Sequence, residues 1–551
     1  MKLTGLLFAA ALLGSCTQPA AEENYTRHVD PKIGTGGHGH VFVGANVPFG
    51  LVQVGPTSIP QTWDWCSGYH ASDSTVIGFS HTHLSGTGIG DLFDVTVMPV
   101  TGDVTYARGE EADPASGLWS YADRTQEIAR PGYYSVPLTR YGIRAELTAT
   151  ARVGLHRYTF PASDAAAVVF DLENGGCWDK ATETHLAKEG DRTVTGWRHS
   201  TGWAKDQRVY FAAEFSKPFE KFETIGDNYA RASFRTTDGE QVSLKVALSP
   251  VSVEGARENL AAELPGWDFE ETAKAADKAW NDELSKVKIT TADETARRIF
   301  YTALYHTMIA PSLFCDVNGD YYGSDHAIHR NADFTNYTTF SLWDTYRAAM
   351  PLMTVLHPEK MADIVQTMLT ISDEQGRLPV WHLWGNETDC MVGNPGIVAV
   401  ADAIVKGIGG FDREKAFEAI RKTAMNPDRG NGLRMEYGYI PCEMFNEAVA
   451  YDMEYALADG AAARAAETLG KAEDAKYFEE RSHSYRNYFD PATRFMRGRD
   501  SKKGWRTPFN AFASTHRADD YCEGNAWQYT WLAPHDVKGL EGLFGSRAKM
   551  I

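Results

Sequence analysis

The stretch that organises this chain reads DDYCEGNAWQYTWLAPHD at residues 519–536. Glu523 stands in it among two tyrosines and two tryptophans. Aromatic neighbours remove water from a carboxyl group and disfavour its charged form, so the group can stay protonated and donate a proton to a leaving oxygen. Aromatic faces also suit the C–H faces of a sugar, whose hydroxyls could bond to Asn525 and Gln528. From these residues alone, a buried carboxyl paired with an arginine is an equally good interpretation.

The length and charge of the chain restrict its class. Its 551 residues exceed one ordinary domain, and a hydrophobic content of 43% indicates a globular protein. The formal net charge is −19 at pH 7. A charge of this sign argues against nucleic acid or anionic lipid as the main partner.

Residues 1–24 are predicted to be an export signal and tether. Lys2 gives the positive end, and residues 6–13 form an apolar run that is too short to span a membrane. The sequence LGSC at 13–16 resembles a bacterial lipobox, in which Cys16 is acylated and becomes the mature N-terminus. The alternative is an ordinary secretory signal with a stray cysteine. We therefore expect an exported lipoprotein, in the periplasm or on the outer-membrane surface of a Gram-negative bacterium, that meets the membrane only through its lipid.

The remaining cysteines give no pattern that identifies a site. The chain has 7 cysteines, and those other than Cys16 are Cys66, Cys177, Cys315, Cys390, Cys442 and Cys522. Their wide spacing matches neither a zinc pattern nor a Cys-x-x-Cys pair. Disulfides are permitted after export, but their connectivity cannot be deduced from the spacing.

Apolar patterning predicts two structural parts. Residues 25–262 contain short alternating runs separated by turn residues, which predict a β-sandwich; examples are 51–54, 95–98, 166–170 and 242–246. Residues 263–290 are predicted to form a linker helix. About eight helices are predicted by residue 531. Examples are 294–309, 342–356, 359–372, 413–425 and 447–469. The predicted fold is a β-sandwich followed by an (α/α)6 toroid, incomplete in this chain, at residues 291–551.

The first part carries two motifs that suit a ligand. Residues 30–45, DPKIGTGGHGHVFVGA, form a loop that a ligand can approach closely, without the spacing of a phosphate-binding or dinucleotide-binding motif. Its two histidines, His38 and His40, invite a zinc hypothesis together with the two at 81 and 83. Hydrogen bonds to sugar hydroxyls or within the loops are favoured, because no third ligand type accompanies them. In WDWCSGYH at 63–70, Trp65 is favoured over Trp63 as a stacking platform, and a core tryptophan is the alternative.

The helical part carries two further motifs. In SLWDTYR at 341–347, Asp344 and Arg347 are three residues apart on one helix face and can pair. Such a pair could bind vicinal hydroxyls or be a structural ion pair. In WHLWGNETDCMVG at 381–393, Glu387 and Asp389 are the best remaining carboxylates for a cleft, although each could cap a helix. The loop RMEYGY at 434–439 is assigned no role.

The segment EGNAWQYTW at 523–531, followed by PHD, resembles the general-acid segment of the bacterial glycoside hydrolase family 92 α-mannosidases. The likeness extends over nearly the whole chain after the leader. It implies the predicted sandwich and toroid, Glu523 as the acid that protonates the glycosidic oxygen, and substrate contact by Trp65, His38, Asp344 and Arg347, with Glu387 and Asp389 as further candidates. It also implies calcium, bound by residues we cannot name, and an inverting release of terminal α-linked mannose, most commonly α-1,2, from N-glycans or mannans.

Two later motifs of that family, GNEPSHH and a GNDD segment with the base aspartates, do not occur in the sequence. We therefore expect the chain to lack the general base and most calcium ligands. We also expect apolar flanks around 300–309 and 527–532 to be exposed. The alternative function is a catalytically dead, glycan-binding surface lipoprotein. A different toroid enzyme, such as a trehalase-like hydrolase or a polysaccharide lyase, fits the first part of the chain less well.

Overall fold

The computed structural model describes residues 23–113 and 115–551, so the predicted leader and Cys16 lie outside the described residues. A β-rich part comes first and a helical part follows it, as the sequence predicts. The predicted limits of the domains stay predictions, and so does closure of the helices into a toroid. None of the helices in the described ranges is both long and apolar enough to cross a membrane.

Two antiparallel sheets form the β-rich part. The eight strands of the larger sheet are, in order, Lys180–Glu189, Thr193–Thr201, Gln207–Phe215, Glu240–Ser249, Val153–Phe160, Ile143–Ala149, Tyr133–Leu138 and Ile128–Arg130. The six strands of the smaller sheet are Gly55–Thr57, Gly78–Ser80, Thr96–Thr101, Ser163–Asp171, Tyr229–Thr236 and Lys221–Ile225. The ring centroids of Phe170 and Phe211, one from each sheet, are 6.0 Å apart. The inner faces therefore share one core, as in a β-sandwich.

The predicted strand at residues 51–54 is wrong, while the other three predicted strands are present. All four residues are buried, and only Val54 forms a bridge, with Ala45. The backbone N–H groups of residues 52 and 53 bond to two other segments, at Ala151 and His81. A ladder needs one neighbouring strand along its length, so this apolar run crosses the core without joining a sheet.

The second part consists of helices joined by loops and short strands. The helices after the sheets are Val253–Glu263, Phe269–Leu284, Glu294–His306, Leu342–Thr345, Ala349–Leu356, Pro358–Gln375, Pro395–Val405, Arg413–Ala424, Asn431–Tyr437, Ala448–Thr468, Ala472–Arg481, Ala526–Tyr529, Val537–Phe544 and Arg547–Met550. The short strands of this part are Ser312–Leu313, Tyr321–Tyr322, Ile328–His329, Tyr337–Thr338, Phe340–Ser341, Trp381–Leu383, Asn386–Glu387, Phe489–Asp490 and Phe495–Met496. A further short pair, Thr75–Val76 with Ser120–Tyr121, lies in the β-rich part.

Side-chain caps explain why several helices begin where the sequence predicts. Asp268, Asp293 and Asp412 each accept hydrogen bonds from backbone N–H groups of the first turn that follows. These N–H groups have no partner within their own helix, so an aspartate before the first turn fixes its start. The predicted helix at 342–356 is instead two helices, because the chain turns at Tyr346 and Arg347.

One helix that the sequence did not predict links the two parts. Val253–Glu263 packs on the larger sheet, and the Ser252 side chain accepts from the N–H of Gly255. From this helix, the Asn259 amide donates to the carbonyl of Leu248 at 2.9 Å and to Asp316 at 2.8 Å. These buried hydrogen bonds from the Asn259 side chain hold the sheet against the first loop of the helical part.

The expected exposure of residues 300–309 is wrong. Met308 and Ile309 are buried, and the Tyr305 ring lies 4.3 Å from that of Trp280. The β-rich part also covers this segment, since the N–H of Phe49 donates to the carbonyl of Met308 at 2.8 Å. The other predicted patch is present, with Trp531 exposed by 43%.

The helix Ala448–Thr468, which we call the central helix, packs against Pro395–Val405, Arg413–Ala424 and Ala472–Arg481. Its many alanines let these neighbours approach on several sides, and a helix that is buried all round needs such small side chains. It nevertheless carries three buried acids, Asp452, Glu454 and Asp459. Each of these charges therefore needs a partner.

Arg434 supplies the partner for two of these acids. It was predicted to lie in a loop without a role, and it lies instead in the helix Asn431–Tyr437. Its guanidinium donates at 2.7 Å to Asp452 and at 2.7 Å to Asp459. It also donates to the carbonyl of Arg481 and to the hydroxyl of Ser484. All of these groups are buried or nearly so, and the cation joins the central helix to the segment that follows it.

Replacing Arg434 with methionine should destabilise the helical part strongly. Two buried carboxylates would lose their cation, and breaking a buried ion pair from one side costs about 3–5 kcal/mol. Urea unfolding followed by circular dichroism at the helix band measures this loss.

Arg464→Met, on the central helix, is the matched control. Arg464 is exposed and pairs at the surface with Glu467. Its loss should change stability by no more than about 0.5 kcal/mol. Equal effects of the two substitutions would contradict the central role of Arg434.

Candidate active site

A cleft of about 780 Å³ lies where the two parts of the chain meet. We call this space the cleft. Trp203 and Lys205 line it from the β-rich part. The helical part contributes residues 388–391, 443–447, 451, 516–517 and 522–523. Of the predicted site residues, Glu523 and Asp389 line the cleft.

Glu523 lies on a sharp turn just before a short helix. Its φ is +45°, in the left-handed region, and its side chain is exposed. Asn525 caps the helix by accepting from the N–H groups of Trp527 and Gln528, and the Gln528 side chain accepts in return from the N–H of Asn525. The side-chain oxygens of the two amides that were predicted to bind a sugar are therefore used by this capping box.

The carboxyl of Glu523 is not enclosed by its aromatic neighbours, which corrects the sequence interpretation. Tyr521 and Tyr529 are buried beneath the turn, and their hydroxyls donate to the carbonyls of Met496 and Cys522. Within the described ranges, no side chain forms a hydrogen bond or ion pair with the Glu523 carboxylate. The alternative of a carboxylate paired with an arginine is therefore wrong as well.

Five residues that line the cleft have left-handed backbone conformations although none is a glycine. They are Asp389, Met391, Glu447, Arg517 and Glu523, with φ between +45° and +71°. A side chain makes this conformation costly, by about 1–3 kcal/mol at the least populated angles. Such residues concentrate at functional sites, where the surrounding structure holds them in place. Their clustering marks this cleft independently of any motif.

Glu447 is the cleft residue that the sequence reasoning missed. It precedes the central helix, and the sequence marked it only as a helix start. Its side chain is buried, and burial raises the pKa of its carboxyl. A hydrogen bond with Cys522 and the nearby charges of His516 and Arg517 partly offset this rise. One carboxylate oxygen, Oε1, has no hydrogen-bond partner among the described residues.

The structure separates the two carboxylates predicted near residue 388. Asp389 is exposed and forms ion pairs with Arg377 and Arg429. Glu387 accepts from the N–H groups of Val380, Trp381 and Asp389, at 2.8 to 2.9 Å. Glu387 therefore supports the hairpin behind the cleft and does not line the cleft itself. The signal for this role is the short hairpin Trp381–Glu387, which only the folded chain reveals.

The predicted pair of Asp344 and Arg347 is wrong. Arg347 donates to Glu454 of the central helix at 2.7 Å, and the hydroxyl of Tyr346 donates to the same carboxylate at 2.8 Å. Asp344 is exposed and accepts from Ser341. A buried carboxylate needs the cation more than an exposed one does, so Glu454 takes it. Neither predicted residue lines the cleft.

The predicted residues of the first part lie together, but outside the cleft. His38 is exposed and bonds to Asp64 at 2.7 Å. Trp65 is half-buried, stacks on His70 at 4.4 Å and donates to Asp73 at 2.7 Å. Trp63 is 51% exposed and offers the freer ring. Trp63 is therefore better placed than Trp65 as an open stacking surface.

The paired histidines are engaged in hydrogen bonds within the loops. Burial lowers the pKa of His81 to about 4 and that of His83 to about 3. His81 bonds to the carbonyl of Val95 and to His156, and His83 bonds to the carbonyl of Gln53. Within the described ranges, these residues do not form a metal-binding group.

The turn that holds Glu523 should respond to pH through Asp520. Burial raises the pKa of Asp520 to about 6, although its ion pair with Arg506 partly offsets the rise. The pKa of an aspartate in the unfolded chain is about 3.9. The Asp520 carboxyl therefore contributes most stability below pH 4, and it loses that contribution as the pH rises through 6. Asp520→Asn cannot ionise. Its melting temperature relative to wild type should therefore rise between pH 4 and pH 7, by an amount equivalent to about 2–3 kcal/mol.

Thermal melts of both proteins across this pH range test the expectation. Asp103→Asn, an exposed change in the β-rich part, is the control and should give a curve parallel to wild type. Parallel curves for Asp520→Asn would contradict the assignment.

Family models and solved structures place the chain among known proteins. The glycosyl hydrolase family 92 N-terminal domain matches residues 28–249, and the glycosyl hydrolase family 92 catalytic domain matches residues 255–551. The chain is also 26% identical over 622 residues to a protein of Arthroderma benhamiae described as an uncharacterized secreted glycosidase. That match covers 99% of this chain and 75% of the relative.

Two solved structures from Bacteroides thetaiotaomicron agree with this result. The family GH92 α-mannosidase BT3965, in complex with mannoimidazole, is 39% identical with a TM-score of 0.92, over 96% of this chain and 73% of that one. The family GH92 inverting mannosidase BT2199 is 29% identical with a TM-score of 0.87, over the same shares of each chain. The chain is therefore a member of glycoside hydrolase family 92.

Proposed function

We propose that this protein is an exo-acting α-mannosidase, with Glu523 as the proton donor. The observation that carries the proposal is an unpaired carboxyl, held by a left-handed turn, at a cleft formed by both parts of the chain. The likeness to BT3965, which was solved with mannoimidazole, supports mannose as the sugar. Terminal α-1,2-linked mannose of N-glycans or mannans is the proposed substrate, on the family resemblance alone.

Glu523 would act by giving its proton to the glycosidic oxygen as the bond to the leaving sugar breaks. In an inverting enzyme a second carboxylate activates water on the opposite face of the ring. The likeness to the inverting mannosidase BT2199 supports this route. We assign Glu523 as the acid and assign no residue as the general base. If this chain turns over mannosides, Asp389 is the first base to test, because Glu387 is fully engaged by backbone N–H groups.

Calcium is part of the proposal because the family resemblance implies it. Ca²⁺ prefers oxygen ligands, and the cleft offers the carboxylate of Glu447 and the amide oxygen of Asn446. The unpartnered, buried oxygen of Glu447 fits a cation ligand in particular. When bound, calcium would grip sugar hydroxyls and favour distortion of the ring. Glu447 would hold the ion, while Glu523 keeps its proton-donor role.

Glu523→Gln should lower turnover of mannosides with poor leaving groups by roughly 100- to 10,000-fold. The amide keeps the shape of the side chain but cannot donate a proton to the departing oxygen. Mannosides whose leaving group needs no proton should lose far less. Steady-state kinetics on matched aryl mannosides of graded leaving-group ability provide the measurement.

Glu443→Gln, an exposed carboxylate change in the same cleft, is the control and should not show this dependence on the leaving group. An equal loss of turnover on both kinds of substrate would contradict the assignment of Glu523 as the acid. A wild-type protein that binds mannosides without hydrolysing them would favour the alternative of a glycan-binding lipoprotein.

We also propose that Cys16 carries the lipid anchor, since it ends the LGSC motif after a short apolar run. Cys16→Ala should move the protein from the membrane fraction to the soluble fraction, because the acyl chains supply the membrane affinity. Cell fractionation and mass spectrometry of the N-terminal peptide measure both effects. A soluble wild type with an unmodified N-terminus would disprove the anchor.

A further inference from the structure

Three side chains of the helical part bring metal-binding atoms together outside the cleft. They are Asp325, His329 and Glu374, and within the described ranges their ligand atoms all lie within 4.8 Å of one another. Asp325 and His329 belong to one short hairpin, and Glu374 lies in the last turn of the helix Pro358–Gln375. These residues are not among those that line the cleft.

We propose that this group binds one zinc ion, at a site separate from the candidate active site. The Nε2 atom of His329 lies 3.1 and 3.2 Å from the two carboxylate oxygens of Asp325, and 3.3 Å from Oε1 of Glu374. Charge-assisted hydrogen bonds between such groups are shorter, at about 2.7–2.9 Å. Ligands that bind a tetrahedral Zn²⁺ at about 2.0–2.1 Å lie about 3.3–3.4 Å from one another. The observed spacing is longer than that of such hydrogen bonds and approaches that of ligands around the ion.

The types of donor decide which cation fits. An imidazole nitrogen suits zinc and other transition metals, whereas calcium and magnesium prefer oxygen ligands alone. One imidazole and two carboxylates supply three protein ligands, and Zn²⁺ with three protein ligands keeps a fourth position for water. Solvent reaches this group, because the side chains of Asp325 and His329 are each 35% exposed, whereas that of Glu374 is 6% exposed.

Groups that are not ligands hold two of the three side chains in position. The hydroxyl of Tyr321 donates to Oε1 of Glu374 at 3.0 Å, and the N–H of Ser324 donates to Oε2 at 2.7 Å. The His329 ring stacks on the Tyr321 ring, with centroids 4.9 Å apart and planes inclined by 8°. Metal ligands are commonly oriented by partners of this kind.

A glycine leaves the space beside the ligand atoms open. A Cβ atom at Gly323 would lie 2.6 Å from Oδ1 of Asp325 and 2.7 Å from Nε2 of His329. A side chain at this position would therefore occupy the space from which an ion reaches both atoms. The N–H of Ala327 keeps the carboxylate of Asp325 in this arrangement by donating to Oδ1 at 3.0 Å.

The expected role of the ion is structural. The hydroxyl of Tyr322, in the same hairpin, donates to Asp206 of the β-rich part at 2.9 Å. The hydroxyl of Ser324 forms a hydrogen bond of 3.1 Å with His382, in the strand Trp381–Leu383. An ion that fixes this hairpin to the helix of Glu374 would therefore also stabilise the contact between the two parts of the chain.

The test titrates the full chain, first treated with a chelator, with Zn²⁺ and follows binding by calorimetry. Ca²⁺ is present throughout, so that sites built from oxygen ligands alone are already filled. We expect one tightly bound Zn²⁺ per chain in the wild type and its loss in His329→Asn. Tyr321→Phe keeps the ring but removes the hydroxyl that orients Glu374, and it should weaken binding by roughly 10- to 100-fold. His185→Asn changes an exposed histidine of the β-rich part and should bind Zn²⁺ as the wild type does.

Zn²⁺ should also raise the melting temperature of the wild type, by roughly 3–6 °C at about a hundredfold excess over its dissociation constant. It should leave that of His329→Asn unchanged. Equal affinity of the wild type and His329→Asn for Zn²⁺, or a wild type that binds none, would overturn the proposal. Glu374→Gln provides the same comparison if the His329→Asn protein fails to fold. Neither measurement uses hydrolysis, so the result is independent of the proposed mannosidase activity.

Discussion

A single buried cation fixes the geometry of the helical part. Arg434 lies between Asp452 and Asp459, two acids on one face of the central helix, and its remaining N–H groups are also used. Charges of both signs are tolerated in a core only when each is paired and hydrogen-bonded. This network therefore allows one orientation of the central helix. Since Glu447 immediately precedes that helix, the network also determines where this carboxylate stands in the cleft.

A different face of the same helix depends on a second paired acid. Glu454 is held by Arg347 and by the hydroxyl of Tyr346, both from the break between Leu342–Thr345 and Ala349–Leu356. The core of this part is thus specified by polar contacts as well as apolar ones. Apolar packing of an alanine-rich helix alone would permit rotation or sliding, because its faces are alike.

The sequence predicted the elements well and the partners poorly, for a physical reason. Helices with an aspartate cap, such as Arg413–Ala424, follow from local chemistry, and strands such as Ser163–Asp171 follow from their apolar run. Long-range partners do not. Arg347 pairs with Glu454, 107 residues away, and not with its neighbour Asp344. The burial of Glu454 is a property of the folded chain only. Glu447 escaped notice because its left-handed backbone and unpartnered oxygen leave no trace in the sequence.

The same reasoning explains why Glu523 is exposed although aromatic residues surround it in the sequence. Tyr529 holds the carbonyl of Cys522, on one side of the turn, and Tyr521 anchors the segment to Met496. The aromatic rings thus build the turn and leave the carboxyl free above it. In the proposed function, the dry setting that a proton donor needs would come from the sugar, whose apolar face would displace water on filling the cleft. A carboxyl that a left-handed turn presents at the cleft and that is unpaired among the described residues is open to a glycosidic oxygen, as the proposed role of Glu523 requires.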